Sequence, residues 1–191
     1  MDLKNLSFIS KNINPEKLIL ISGNGQNVGK TTYACLLIQH FKKLNQKVYA
    51  LKISPHIHDQ QPPHTIFSND HFIVSLEKEK GTGKDSSRYL DYGADESFFL
   101  QVTDERLEEA ANYVFSFFPK DAIIIVESGG LRKLLKPQLF FFLINKTDKK
   151  VKKKAIEWPN LADKVIEFDG MIFNFPVDKI QMTDGKLYLI D

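Results

Sequence analysis

Cysteine is almost missing from this chain: there is one, Cys35, in 191 residues. That excludes an internal disulfide framework and suits a reducing compartment. Cys35 falls within the apolar pattern of a helix, where a small core residue is the plain reading. An excess of one charge is missing too. Lys and Arg total 26 against 24 Asp and Glu, a net charge of +2, so there is no bulk electrostatic case for nucleic acid or membrane. No apolar run approaches the length of a transmembrane helix. Residues 1–14 have no basic start followed by a long apolar run, so no signal peptide is expected. Internal repeats, linkers and domain breaks are also missing. The expectation is one cytoplasmic domain over residues 1–191, with no nucleic-acid or membrane partner. The 42% hydrophobic content suits a globular chain that can bury a proper core.

What is present centres on Ser22-Gly23-Asn24-Gly25-Gln26-Asn27-Val28-Gly29-Lys30-Thr31-Thr32. The apolar run Leu18-Ile19-Leu20-Ile21 precedes it and the helix-patterned run Tyr33-Ala34-Cys35-Leu36-Leu37-Ile38 follows. Strand, glycine-rich turn and helix in that order are the context of a phosphate-binding loop. Glycines let the backbone N–H groups point inward, and the helix N-terminus adds partial positive charge at the same spot. Lys30 is placed to reach the β- and γ-phosphates, and the Thr31 hydroxyl to ligate Mg²⁺.

Residues 1–16 read as a lead-in. The first helix runs from Thr31 to about Leu44, because Asn45-Gln46 leaves helical geometry cheaply. Lys47-Val48-Tyr49-Ala50-Leu51-Lys52-Ile53 is a second strand, and a unit of this length predicts a parallel pair with a right-handed crossover. Residues 54–68, rich in Pro, His and Gln, read as a loop at a strand's C-terminal end, where open α/β sheets bind ligands. Residues 77–84 read as a second loop. Further strands are predicted at 71–76, 97–102, 122–126, 139–144 and 165–168. Helices are predicted over 85–92, 104–117 and from 149 to about 158. Asp85 or Ser86, and Thr103 or Asp104, are candidate N-caps. Pro119 and Pro159 are expected to close helices. Asp184-Gly185 between apolar runs predicts a terminal hairpin. The fold class is therefore α/β: a three-layer α/β/α P-loop NTPase layout with a mainly parallel sheet and a C-terminal β-hairpin.

Two more motifs carry chemistry. Glu127 ends the most β-branched run, Ala122-Ile123-Ile124-Ile125-Val126, which reads as a strand covered on both faces. A carboxylate there holds Mg²⁺ through water or orients an attacking water. The following Ser128-Gly129-Gly130 lets backbone N–H groups approach a γ-phosphate. Asn145-Lys146-Thr147-Asp148 ends another buried strand and has the guanine-reading pattern Asn-Lys-x-Asp. The Asp148 carboxylate accepts from the guanine N1–H and its 2-amino group, a donor pair that adenine lacks. Lys146 packs its stem over the base, and Asn145 ties the two loops together. The plainer alternative is a polar turn opening the basic run 149–154, itself a solvated helix face.

Lys84 and Arg88 lie one helical turn apart and can share a face toward an anionic ligand. Asp85 either touches Mg²⁺ or caps the helix. His56, His58, His64 and His71 invite a metal site, but no cysteine accompanies them, and the proline-rich context favours a switch-like segment.

Counting back from Gly29, Asn24 holds the usual first glycine position and Gly23 lies one residue further out. This longer loop resembles that of dethiobiotin synthetase and related ATP-dependent enzymes. Glu127-Ser128-Gly129-Gly130 with Asn145-Lys146-Thr147-Asp148 resembles the urease and hydrogenase accessory GTPases. A longer resemblance, from the phosphate loop to Glu127, is to the molybdopterin-guanine dinucleotide biosynthesis protein B family. Lys52-Ile53-Ser54-Pro55-His56-Ile57-His58-Asp59 is similar to that family's Lys-His-rich segment. Gly83-Lys84-Asp85-Ser86-Ser87-Arg88 with Tyr92-Gly93-Ala94 is similar to its Gly-Lys-Asp signature. The resemblance implies a small GTP- and Mg²⁺-binding adaptor that assists attachment of a nucleotide to molybdopterin. Its site residues would be Lys30, Thr31 and Glu127, with His56, His58, Lys84, Asp85 and Arg88 facing a substrate or partner. Hydrolysis is expected to be slow, because no arginine in the glycine-rich loop offers a cis finger. A nucleotidyltransferase partner or a homodimer would complete the site. The rival expectations are an ATP-dependent ligase or kinase of dethiobiotin synthetase type, a metallochaperone-like GTPase and a non-catalytic scaffold.

Overall fold

The computed structural model describes residues 13–58, 60–145 and 157–190. The apolar runs form strands β1 (Leu18–Gly23), β2 (Val48–Ser54), β4 (Phe72–Glu77), β5 (Glu96–Val102), β6 (Ile123–Glu127), β7 (Leu139–Asn145) and β8 (Lys164–Phe168). Together with β3 (Thr65–Ser68) they make an eight-stranded sheet in the order β3-β4-β5-β2-β6-β1-β7-β8. Neighbours from β5 through β8 run parallel, while β3–β4 and β4–β5 are antiparallel. Helices α1 (Lys30–Lys43) and α2 (Asp85–Asp91) pack on one face and α3 (Leu107–Phe115) on the other, which makes three layers. Each face has its own core. Tyr33, Leu37, Ile38 and Phe41 of α1 meet Ile19, Ile21 and Ile125, whereas Leu107, Val114 and Phe115 of α3 meet Leu20, Val126 and Leu100.

β1 and β2 are parallel but are not neighbours, which corrects the expected pair. β6 lies between them, in register Ile19↔Ile125 on one side and Ala50↔Ile125 on the other. All of its residues are buried, and a strand this apolar gains most where both faces and both edges are covered.

Other boundaries shift for local reasons. The end of the expected 54–68 loop is strand β3, which pairs with β4 and puts Phe67 against Phe72 at 4.9 Å between ring centroids. The N-cap of α2 is Lys84, not Asp85 or Ser86, and no side chain caps it. A 3₁₀ turn over Asp104–Arg106 precedes α3; Thr103 flanks that turn without a side-chain cap, and the N-cap position of α3 itself is Arg106. Pro159 does not close a helix but sits in the first turn of α4 (Trp158–Leu161), where its missing N–H costs nothing. The basic run 149–154 lies outside the described residues.

β9 (Ile180–Thr183) and β10 (Lys186–Leu189) form the C-terminal hairpin. Asp184 and Gly185 have φ of 52° and 78°, the two positive values that a tight two-residue turn requires. The hairpin docks on the α1 side of the sheet through Ile180 and Leu187, both fully buried, and His40 Nε2 lies 2.8 Å from the Ile180 carbonyl oxygen. Among the described residues no helix is long and apolar enough to cross a membrane.

Candidate functional site

β1 brings Gly23 to the C-terminal edge of the sheet, and the chain then turns through residues 24–29 into α1. Two positions in the turn require glycine. A Cβ on Gly23 would lie 2.7 Å from the Leu143 carbonyl oxygen, so only a bare backbone fits beside β7. Gly29 has φ 86°, and a Cβ there would lie 2.8 Å from Phe173 Cε1 and 2.9 Å from Phe168 Cδ1. These two rings stack at 4.5 Å and wall the loop on the side of β8. The Asn24 N–H donates to the Leu143 carbonyl at 3.1 Å, while its buried side-chain Oδ1 has no hydrogen-bond partner. Lys30 folds back over its own loop and donates to the Gly25 carbonyl at 2.6 Å. Gly29 supplies no side-chain cap, so no side chain caps the start of α1.

Glu127 ends β6 directly beside this loop, opposite Ile21 of β1 and Lys52 of β2. Only 3% exposed, it is held from several sides. Thr31 Oγ1 and the Tyr89 hydroxyl each donate to its Oε2 at 2.8 Å, and Lys52 Nζ donates to Oε1 at 2.5 Å. Lys52 Nζ also lies 2.7 Å from Asp85 Oδ2, so one ammonium joins two carboxylates. Arg88 extends from α2 and donates to Thr32 Oγ1 at 3.2 Å.

The ionisation of these groups follows from the packing. Burial works against the Lys52 ammonium, but the Glu127 charge and the hydrogen bonds to Asp85 and Glu127 outweigh it, and the lysine titrates above its ordinary value. Burial likewise works against the Asp85 carboxylate, but bonds from Lys52 and Thr31 leave it below its ordinary value. The Tyr89 phenol is pushed far up by burial and then by Glu127, so it stays a donor. Cys35, packed behind the site, is pushed up to about 12 by burial.

The structure thus brings together Lys30, Thr31, Thr32, Asp85, Arg88 and Glu127. Of the guanine-reading pattern, Asn145 ends β7 two residues after Leu143, which pairs with Gly23; Lys146, Thr147 and Asp148 lie outside the described residues. His56 and His58 are exposed and apart from the cluster, and His64 approaches Glu79 at 3.8 Å. Among the described residues no group of three or more His, Cys, Asp and Glu is placed to hold a metal ion. Lys84 instead lines a cavity of about 590 Å³ together with, among others, His58, Pro62, Ser75, Phe99 and Gln101.

The motifs give no role to Lys52, Tyr89 or Gln101. Lys52 and Gln101 carry only a weak signal: each is one of several polar residues in its strand, beside Ser54 in β2 and Glu96 and Ser97 in β5. Tyr89 carries none, because an aromatic residue in a short helix reads as core. No family model matches the chain, and no curated protein matches it.

Proposed function

We propose that this chain is a Mg²⁺-dependent, guanine-nucleotide-binding P-loop protein that hydrolyses GTP slowly and works as a cytoplasmic adaptor. One observation carries the reading. The Thr31 hydroxyl and the Glu127 carboxylate, far apart in sequence and selected by separate motifs, meet at 2.8 Å at the mouth of a glycine-rich turn. An ordinary strand-to-helix turn has no need of that meeting.

The donors suit Mg²⁺. Thr31, Asp85 and Glu127 offer hard oxygens in one cluster, and Mg²⁺ prefers one or two carboxylates plus phosphate oxygens and water. When bound, the ion would neutralise charge building on the γ-phosphate. Lys30 would move from the Gly25 carbonyl to the phosphates, and the Glu127 and Asp85 carboxylates would turn from Lys52 toward the ion. The glycine-rich loop holds no arginine, and the Arg88 of α2 is engaged with Thr32, which suits slow hydrolysis. The accessory type within molybdopterin-guanine dinucleotide synthesis is supported by the Gly83–Arg88 segment. Its Asp85 reaches Lys52 and its Arg88 reaches Thr32, so that segment belongs to the same site. Capture of a nucleotidyltransferase from cell extract tests the partner, and the oligomeric state in solution tests homodimer formation.

Equilibrium binding of fluorescent GTP, GDP and ATP with Mg²⁺ tests the base preference. GTP should bind at least about tenfold more tightly than ATP, a difference of about 1.4 kcal/mol. Asp148→Asn should reverse the order of GTP and xanthosine triphosphate. Equal affinity for ATP and GTP removes the guanine claim.

A second reading, an ATP-dependent ligase or kinase of dethiobiotin synthetase type, is favoured by one feature. The cavity on the far side of Lys84-Asp85-Ser86 offers a place for a second substrate.

A further inference from the structure

On the face of the sheet that carries α1 and α2, α2 packs against β5 and β4, and part of that face borders the cavity lined by Lys84. Period-2 alternation puts Ser97, Phe99 and Gln101 of β5 on that face, with Ser75 and Glu77 of β4 opposite them, in register Ser75↔Phe99 and Glu77↔Ser97. A strand face of this polarity makes a poor core. With His58, Gln60, Gln61, Pro62 and Pro63 of the stretch after β2 it lines the half-open cavity of about 590 Å³, a volume typical of small-molecule sites.

The polar groups of the cavity divide into those already engaged and those left over. Glu77 Oε2 accepts from Ser86 at 2.7 Å, and its Oε1 accepts the backbone N–H groups of Lys78 and Glu79 at 3.1 and 3.0 Å. Ser75 Oγ lies 3.3 Å from Thr65 Oγ1. Gln101 is the exception. It is 0% exposed, and its Oε1 accepts the His58 backbone N–H at 2.9 Å, which fixes the amide. Its Nε2 then has no hydrogen-bond partner. A buried amide donor left unpaired costs about 1–3 kcal/mol, so an acceptor entering the cavity recovers that amount. Lys84 adds an ammonium at the rim. The half-buried ring of Phe99 and the rings of Pro62 and Pro63 supply apolar walls.

We infer that this cavity is a binding site for a small organic carboxylate with a flat apolar body. The carboxylate meets Gln101 Nε2 and Lys84, and the body lies against Phe99 and the two prolines. The charge count favours the smaller anionic charge: one lysine faces one glutamate in the same cavity, so no net positive charge offsets the larger desolvation cost of a dianionic phosphate. The site's further role, as the seat of a second substrate one turn of chain away from the Lys52–Asp85 pair, rests on the nucleotide reading; carboxylate binding does not.

The test is a titration of the full ¹⁵N-labelled chain with benzoate, benzamide and phenyl phosphate, following the Gln101 side-chain amide signals by NMR. Benzoate should give a saturable shift of that pair, with benzamide and phenyl phosphate each at least about threefold weaker. Gln101→Met should raise the benzoate Kd about tenfold, the equivalent of one charge-assisted hydrogen bond. Lys84→Ala, an exposed change that does not threaten folding, should raise it about threefold. A Gln101 signal that does not respond to benzoate, or an equal response to phenyl phosphate or benzamide, overturns the proposal. GTP with Mg²⁺ added to the same sample separates the two claims. Benzoate binding without GTP binding keeps the cavity and removes the nucleotide reading, and the reverse result does the opposite.

Discussion

Lys52 is the residue on which the charge balance of the site turns. Its ammonium is the shared partner of Glu127 and Asp85, and Glu127 is buried. Breaking a buried pair by removing one partner costs far more than the pair is worth, because the other charge is left uncompensated. Lys52→Met should therefore lower the unfolding free energy by about 3 kcal/mol at neutral pH, read from chemical denaturation. The pH dependence has a defined sign. Asp85 titrates below its ordinary 3.8 in the folded chain, so its contribution is present above 3.8 and is lost as pH falls through the lower folded value. Lys52 titrates above its ordinary 10.5, so its contribution is present below 10.5 and is lost as pH rises through the higher folded value. In Lys52→Met the high-pH loss should vanish and the acid limb below 3.8 should shrink, as measured by the thermal midpoint against pH. An unchanged acid limb would show that Lys52 does not hold Asp85 in its ionised form. None of this is legible from residue type, since a lysine in a strand reads equally well as a solvated edge position. Only the register of β2 against β6 places it opposite Glu127.

At the scale of the element, the sequence was most informative where a periodic pattern met a turn with special geometry. α1, β6 and the hairpin follow from apolar spacing, from β-branched content and from Asp184-Gly185. Strand β3 was hidden because its pairing with β4 depends on a non-local edge, and four residues among Pro, His and Gln carry too little pattern to reveal it. The α2 caps were misassigned for a related reason. Asp85 and Ser86 are good caps in isolation, but here their side chains are drawn to Lys52 and Glu77. The hairpin carries a prediction of its own. Leu187 is fully buried among residues of the α1-side core, so the hairpin is part of the fold's packing. Leu187→Ala should cost about 3 kcal/mol by the usual sum of lost burial and residual cavity. A cost below about 0.5 kcal/mol in chemical denaturation would mean that the hairpin does not hold to the sheet.

For the molecule as a whole, the strand order places the glycine-rich loop, Glu127 and Lys52 on three adjacent strands, β1, β6 and β2. A ligand gripping that junction binds only the folded chain and must therefore stabilise it. GTP with Mg²⁺ at about a hundred times its Kd should add about 2.7 kcal/mol and raise the thermal midpoint by about 5–10 °C. Lys30→Ala should still unfold cooperatively but lose most of that rise, because the alanine cannot reach the phosphates. The three-layer layout was legible beforehand, since alternating strands and helices admit few arrangements. The neighbour order was not, because a parallel crossover specifies handedness but leaves open which later strand will insert between the first two. A last consequence comes from Cys35, enclosed in α1 behind the glycine-rich loop with its thiol pushed up to about 12. Maleimides and disulfide reagents attack thiolates, and this sulfur presents almost none at neutral pH. The native chain thus has a silent thiol background: a cysteine engineered at the rim of the Gln101 cavity can carry a dye alone, and the native sulfur, modified only when the chain opens, reports unfolding.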